Sequence, residues 1–385
     1  MKLRSVQALR ALAALAVLIC HLHAIENTKA LGTPLLSSFW VTGAAGVDLF
    51  FVISGFIMVW VAGESPQQVT TSLRFLFARA SRIYPLWWLF AALMSLYFLV
   101  TYGQAWDPIR VGSDPSAGFD HLLKSFFLVP QAEHPVLGVG WTLVHEMYFY
   151  VVFALILCLV PRAFRLVALT LWGASVTAGA LLGLSGPVAT SLVELVFYPM
   201  SLEFLMGAWV AYAVRHKFAQ RLAPLTALLG GLALILVFTL FDFETGGTLL
   251  AGFGIERMGD FTLGWGRTLF FGVPCALLLH GLVNLERTHT LGRYIPNIFV
   301  SIGDWSYALY LSHIMVLSAV ARIYFPLVGN VEDQIWDNIG FLILSSLTTI
   351  VFSGIVYRTI EQPIIRWYQS AREKLFPSAR KLPSS

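Results

Sequence analysis

Charge is scarce in this sequence. Asp, Glu, Lys and Arg supply only 12% of its 385 residues, about half the share usual in a soluble domain. A chain so poor in charge has too little polar surface to cover itself in water. Cysteine is scarcer still. Cys20, Cys158 and Cys275 each lie inside an apolar run, and their spacing suits neither a disulfide framework nor a metal site, so they read as inert core thiols and no metal is expected. No P-loop, Rossmann glycine pattern, HExxH or GxSxG occurs, which removes the usual sequence marks of nucleotide hydrolysis, dinucleotide binding, zinc proteolysis and serine-hydrolase chemistry. There is no internal repeat, no low-complexity segment and no stretch long and polar enough for a soluble domain. The net charge of +4 is no sign of nucleic-acid binding, because in such a chain the position of each cation matters more than the sum.

What is present is apolar length. Hydrophobic residues make up 57% of the chain, and mean hydropathy is +0.74. Lipid as solvent resolves the shortage of polar surface, since a lipid-facing helix needs no polar face. Runs of roughly 20 mainly apolar residues fall at about 5–26, 42–62, 83–101, 141–160, 164–183, 190–214, 223–241, 266–285, 304–326 and 336–358. The expected fold is therefore all-α: a polytopic bundle of about ten transmembrane helices over residues 1–366, with a short basic tail at 367–385. The first run has a basic start, but no small-residue cleavage site follows it, so it reads as a retained helix. The polar stretch 102–140 contains an apolar piece, Leu122 to Pro130, too short to span and expected to be re-entrant or interfacial.

Orientation follows from the cations. With the N-terminus cytoplasmic, 19 of the 25 Lys and Arg fall on the cytoplasmic side; Lys29, Arg110, Lys124, Arg257, Arg267 and Arg322 fall on the other, which is rich in Asp and Glu. The positive-inside rule supports this arrangement, with both termini cytoplasmic.

Ionisable groups within spans are costly and mark function. They are Arg10, His21, Asp48, Glu146, Glu194, Glu203, His280 and His313. The topology places His21, Asp48 and Glu146 in the outer third, a general-base site in which a carboxylate orients an imidazole. Arg10 and His21 are eleven residues apart, about three helical turns, so both project from one stripe, roughly 16 Å apart. Arg79 and Arg82, at i and i+3 before Ile83-Tyr84-Pro85, form a cationic mouth suited to phosphates. An elongated donor with an anionic head fits this line. Plainer readings stand beside it. The arginines at 74, 79 and 82 also serve as topology anchors; Glu194 and Glu203 also serve as structural hydrogen-bonding groups; His23 suits a helix end, and His145 an interfacial neighbour of Glu146. The rival function is a transporter or flippase using the buried charges as its path.

At these residues the chain resembles a known family, acyltransferase family 3. Gln7-Ala8-Leu9-Arg10 leading to His21 is similar to its Arg-x10-His element. Gly46-Val47-Asp48-Leu49-Phe50-Phe51-Val52-Ile53-Ser54-Gly55-Phe56, Arg79-Ala80-Ser81-Arg82-Ile83-Tyr84-Pro85, Trp141-Thr142-Leu143-Val144-His145-Glu146, Ser306-Tyr307-Ala308-Leu309-Tyr310-Leu311-Ser312-His313 and Glu361-Gln362-Pro363 follow in order. His145 departs from the family pattern. The resemblance implies a plasma (inner) membrane O-acyltransferase, with no bound cofactor and acyl-CoA, usually acetyl-CoA, as donor substrate. The implied acceptor is a hydroxyl of a polysaccharide or lipid-linked glycan, and the implied setting is the membrane lipid, in company with polysaccharide biosynthesis proteins. It makes Arg10 and His21 central to catalysis and Arg79 and Arg82 important at the donor side; with the residue reading above, His21 is the expected base, Asp48 or Glu146 orients it, and Arg10 joins Arg79 and Arg82 in holding the donor phosphates. A transient acyl-histidine relay is the variant mechanism. The match is nearest the family's short branch involved in exopolysaccharide production, so the chain is expected either to complete transfer alone or to pass the acyl group to a separate protein.

Overall fold

The computed structural model describes residues 3–30, 33–100, 115–185, 191–240, 265–289, 291–328 and 335–376, and every regular element among them is helical. The order is α1 (Arg4–Lys29), a 3-10 stretch (Ser38–Ala45) feeding α2 (Gly46–Ala62), α3 (Val69–Val100), α4 (Pro115–Phe127), α5 (Trp141–Leu159), α6 (Arg165–Leu181) and the short α7 (Leu192–Val196). Then come α8 (Ser201–Arg215), α9 (Ala223–Leu240), one turn at α10 (Trp265–Arg267), α11 (Val273–Thr288), one turn at α12 (Leu291–Tyr294), α13 (Asn297–Val328), α14 (Ile335–Val356) and α15 (Gln362–Leu375). Among the described residues, ten helical stretches are long and apolar enough to cross a membrane. They agree with the expected spans in number and order.

The largest boundary differences are at α3 and α13, which start at Val69 and Asn297 rather than near 83 and 304. Hydropathy marks where lipid begins, whereas the backbone hydrogen-bond ladder continues through polar residues outside it. The leading turns of α3 carry Arg74, Arg79 and Arg82 on the basic face. Likewise α15 carries the chain helically through residue 366, so the boundary expected there falls inside a helix. On α9, Leu228, Leu229, Leu232, Ile235 and Leu236 are all exposed, a face that only lipid or an apolar partner covers without cost.

Helix α1 packs most extensively against α13. A Cβ on Gly303 would overlap the backbone of Gln7, so glycine there lets the two helices approach at backbone distance. The same device joins α2 to α8, where side chains on Gly55 and Gly207 would strike the carbonyls of Phe204 and Val52. Phe51, Phe204 and Phe149 stack in sequence beside this crossing.

The basic ends are gathered by arginines spent on backbone carbonyls. Arg165 donates to Gly63 O at 2.8 Å and Ser65 O at 2.7 Å, Arg215 to Trp60 O at 2.6 Å and Arg287 to Val214 O at 2.8 Å. Glu64 pairs with both Arg162 and Arg215. Glu286 caps α1, accepting from the backbone N–H groups of Arg4 at 2.7 Å and Ser5 at 2.8 Å; a carboxylate there satisfies two orphan donors and meets the positive helix end.

The short segment expected to be re-entrant or interfacial begins in α4, whose last turn is docked on α3. The carbonyls of Ser125, Phe126 and Phe127 accept from Trp87 Nε1, Trp88 Nε1 and Tyr84 OH at 3.1, 3.0 and 3.1 Å. Orphan C-terminal carbonyls are thus satisfied by aromatic donors rather than by water. Residues 102–114 and most of the polar stretch 242–265 lie outside the described residues.

One cation counted by sequence with the acidic side is turned inward. Arg267, at the start of the eighth span and largely shielded, grips Asp48: Nε donates to both carboxylate oxygens at 2.9 Å, and Nη2 to Oδ2 at 2.8 Å and to Ala44 O at 2.7 Å. The pair ties α2 to the start of the eighth span, where the π-helical turn Thr268–Gly272 follows Arg267. Hydropathy alone does not place a cation that carries its own counter-ion inward.

Two outcomes test this packing. Gly207→Leu forces α2 and α8 apart and lowers stability by about 1–3 kcal/mol, read as a lower Tm of the detergent-solubilised protein. Asp48→Leu strips the Arg267 guanidinium of its hydrogen-bonded counter-ion and costs about 3–5 kcal/mol, whereas Asp48→Leu with Arg267→Leu recovers most of the loss. Equal destabilisation by the single and double variants would show that the pair is not what holds these helices.

Candidate active site

The first span brings Arg10 to a cavity shared by five helices. The space is about 740 Å³, its open part included, and is lined by Arg10 of α1, Phe50 and Ser54 of α2, Arg79 and Arg82 of α3, Thr142, Glu146 and Tyr150 of α5, and Ser306, Tyr307 and Tyr310 of α13, among others. Three guanidinium groups and one carboxylate thus face one space inside an apolar bundle. Arg10 Nη2 donates to Ser306 Oγ at 2.7 Å. Arg79 lies over the rings of Phe75 and Tyr150, at 5.5 and 5.7 Å, and its shielded Nε meets no acceptor among the described residues. Glu146 Oε1 accepts from Ser54 Oγ at 2.8 Å and from the Tyr150 hydroxyl. Tyr307 OH donates to Ile83 O at 2.7 Å, which locks α13 to the Pro85 turn of α3. Behind the lining, Glu361 ends the π-helical turn Tyr357–Glu361 and is buried within electrostatic reach of Arg82 and Arg10. The extra residue of such a turn shifts the helix face locally.

Arg10 and His21 do share a stripe, and both are met by α13: Arg10 by Ser306 and His21 by His313. The hydrogen bonds assign the tautomers. Val17 O, 2.9 Å from His21 Nδ1, can only accept, so Nδ1 carries the proton. Leu309 O, 3.2 Å from His313 Nδ1, imposes the same tautomer there. His313 Nε2 is then an acceptor, 3.3 Å from His21 Nδ1, and the two rings stand edge to face at 4.8 Å. The lone pair of His21 Nε2 is left as the base. His21 itself does not line the cavity. Tyr310 stands between, lining the cavity on one side and facing the His313 ring at 5.8 Å on the other. Its hydroxyl donates to Val139 O at 3.1 Å and lies 2.9 Å from Thr142 Oγ1.

The expectation that Asp48 or Glu146 orients His21 is corrected. Asp48 is committed to Arg267, and Glu146 to Ser54 and Tyr150; the side chain that meets His21 is the neutral imidazole of His313. The three groups do not gather at one point either: Asp48 meets Arg267, Glu146 meets Ser54 and His21 meets His313. Asp48 and Ser54 project from different faces of α2, so one carboxylate is drawn to the eighth span and the other to the Arg10–Arg79 cavity. His145 is packed among Trp141, Tyr198 and Phe51 at 5.7, 4.8 and 6.2 Å, with Nδ1 lacking a partner among the described residues, a packing role rather than a second base. His280 is held by Thr226, Phe218 O and Asn284. Glu203 is buried with neither carboxyl oxygen hydrogen-bonded among the described residues, within electrostatic reach of Arg267.

Sequence reasoning noted His313 as a buried ionisable group but gave it no role. Ser306, Tyr310 and Glu361 stood in quoted motifs without a function. The available signal was the seven-residue interval from Ser306 to His313, two turns of one face, matching the Arg10–His21 stripe on α1.

Known proteins resemble this chain in sequence. An exopolysaccharide production protein, ExoZ, of Rhizobium meliloti (strain 1021) is 33% identical over 315 residues, 78% of this chain and 82% of that protein. The acyltransferase MdmB of Streptomyces mycarofaciens is 28% identical over 388 residues, 95% of this chain and 92% of that protein. A putative O-acetyltransferase of Staphylococcus aureus (strain COL) is 24% identical over 382 residues, 92% of this chain and 56% of that protein. No solved structure matches. The family described as an acyltransferase domain matches residues 3–358, and the chain belongs to it, as a polytopic membrane enzyme of acyltransferase family 3.

Proposed function

We propose that this acyltransferase carries an acetyl group from acetyl-CoA, admitted at the basic, cytoplasmic face, to a hydroxyl of an exported polysaccharide or its lipid-linked precursor in the plasma (inner) membrane. The observation that carries the reading is the line from Arg79 and Arg82, through a cavity also lined by Arg10, to Tyr310 and the His21–His313 pair beyond it. An arginine-lined opening suits phosphates through forked, charge-assisted hydrogen bonds. The similarity to an exopolysaccharide production protein favours a polysaccharide acceptor.

The chemistry assigned to the chain's own residues is as follows. Arg79 and Arg82 hold donor phosphates, and Arg10, fixed by Ser306, supports the anionic part that lies deeper. The thioester passes the Tyr310 ring to reach His21. His21 Nε2 takes the proton of the acceptor hydroxyl as its oxygen attacks the thioester carbon. The C–S bond breaks, the CoA thiolate leaves, and the proton on Nε2 returns to sulfur, giving ester and free thiol. When His21 becomes cationic, its Nδ1–H is shared between Val17 O and the lone pair of His313 Nε2, and both acceptors steady the charged form. Glu146 holds the Tyr150 hydroxyl and so shapes the wall on which Arg79 rests.

His21→Ala is expected to lower acetyl transfer by about 10²–10⁴-fold, with membrane insertion and yield unchanged. Near-normal acetylation of surface polysaccharide, measured by mass spectrometry on cells carrying that variant, would defeat the assignment. Arg79→Ala with Arg82→Ala is expected to raise the acetyl-CoA Kd by at least tenfold, since each charge-assisted hydrogen bond contributes about 1.5–3 kcal/mol. Unchanged affinity, measured by calorimetry on the purified protein, would return both arginines to orienting the helix in the membrane. Radiolabelled acetyl-CoA left intact by the wild-type chain, in the presence of a range of glycan acceptors, would sink the reading as a whole.

A further inference from the structure

A second space lies outside the first. It is about 620 Å³, its open part included, and is lined by Arg79, Ser81 and Arg82 of α3 and by Tyr368, Gln369 and Arg372 of α15, among others. Arg79 and Arg82 border both spaces, so the two chambers meet across this arginine pair. The outer lining holds three guanidinium groups and no carboxylate. Arg372 adds a specific mark: its Nε is shielded from solvent and meets no acceptor among the described residues. A shielded guanidinium nitrogen left without an acceptor is costly, and an anion would relieve it.

The placement of α15 is built in. Tyr368, Gln369 and Arg372 recur at i, i+1 and i+4 and share one face of the helix. That face is held against α3 by Phe77, whose ring meets Tyr368 at 5.8 Å and Phe376 at 6.1 Å. The π-helical turn Tyr357–Glu361 stands directly before α15, and the tenth span continues through it into α15 as one helical stretch.

We propose that α15 completes the donor site as the seat of the nucleotide end of acyl-CoA, with Arg372 on its phosphate and the Tyr368 ring against its base; this rests on the acyl-CoA reading above. The donor has its thioester at one end and its nucleotide at the other. If the thioester points toward Tyr310 and His21 and the diphosphate lies at Arg79 and Arg82, the remaining nucleotide must occupy the outer chamber. The chamber's polarity, charge and aromatic ring suit that end and not the acyl arm.

The test compares two donors on the purified full chain in phosphatidylcholine nanodiscs: acetyl-CoA, and acetyl-4′-phosphopantetheine, which keeps the acyl arm and one phosphate but lacks the nucleotide. Arg372→Gln and, separately, Tyr368→Leu are expected to raise the KM for acetyl-CoA by about 10- to 100-fold for the arginine and less for the tyrosine. The KM for acetyl-4′-phosphopantetheine should move by less than twofold, which also shows that the variants are folded. An unchanged KM for acetyl-CoA in both variants would overturn the proposal. An equal rise for both donors would overturn it too, because it would make α15 a packing element only. An effect that emerges only when anionic lipid is added would assign Arg372 to lipid headgroups instead. A wild-type chain that turns over neither donor would overturn the acyl-CoA reading itself, an outcome distinct from failure of the nucleotide seat.

Discussion

The parallel seam between α1 and α13 is the constraint on which the site depends. Gly303 brings the backbones together at Gln7, and from that point the register carries Arg10 to Ser306 and His21 to His313. A guanidinium and an imidazole within an apolar bundle need partners already in place, because lipid offers none. Here one helix supplies both partners. The seam therefore fixes more than adjacency: it sets the His313 ring beside the His21 nitrogen that the Val17 carbonyl of α1 already holds.

The buried charges divide into two kinds. Both Asp48 carboxylate oxygens accept from Arg267, and the pair joins two spans. Their role is that of a scaffold tie. Arg79 and Arg372 are different, since each has a shielded nitrogen without an acceptor among the described residues. A fully paired charge stabilises position, whereas an under-satisfied one in a cavity has free capacity for a ligand.

Aromatic side chains act at the boundaries. Tyr84, Trp87 and Trp88 hold the end of α4, Tyr307 locks α13 to α3, and Tyr310 partitions the arginine cavity from the histidine pair. Tyrosine and tryptophan suit such places because an apolar body can sit in the bundle while one polar atom satisfies a backbone carbonyl.

Much was legible in the sequence. The ten spans, their order and the stripe shared by Arg10 and His21 follow from run length and from the helical repeat, both of which are local properties. The family resemblance rested on six short motifs, and the matched region 3–358 includes five of them and stops just short of Glu361-Gln362-Pro363. What sequence alone did not determine was who meets whom. Asp48 is drawn to Arg267, 219 positions away, and His21 to His313 rather than to a carboxylate. The C-terminal helix, read as a basic tail, lies against α3 and walls the outer chamber. Periodicity states which face of a helix is polar, but the helix that covers that face is chosen by packing of the whole bundle. Only the tertiary structure decided which charges cancel one another and which are left to bind.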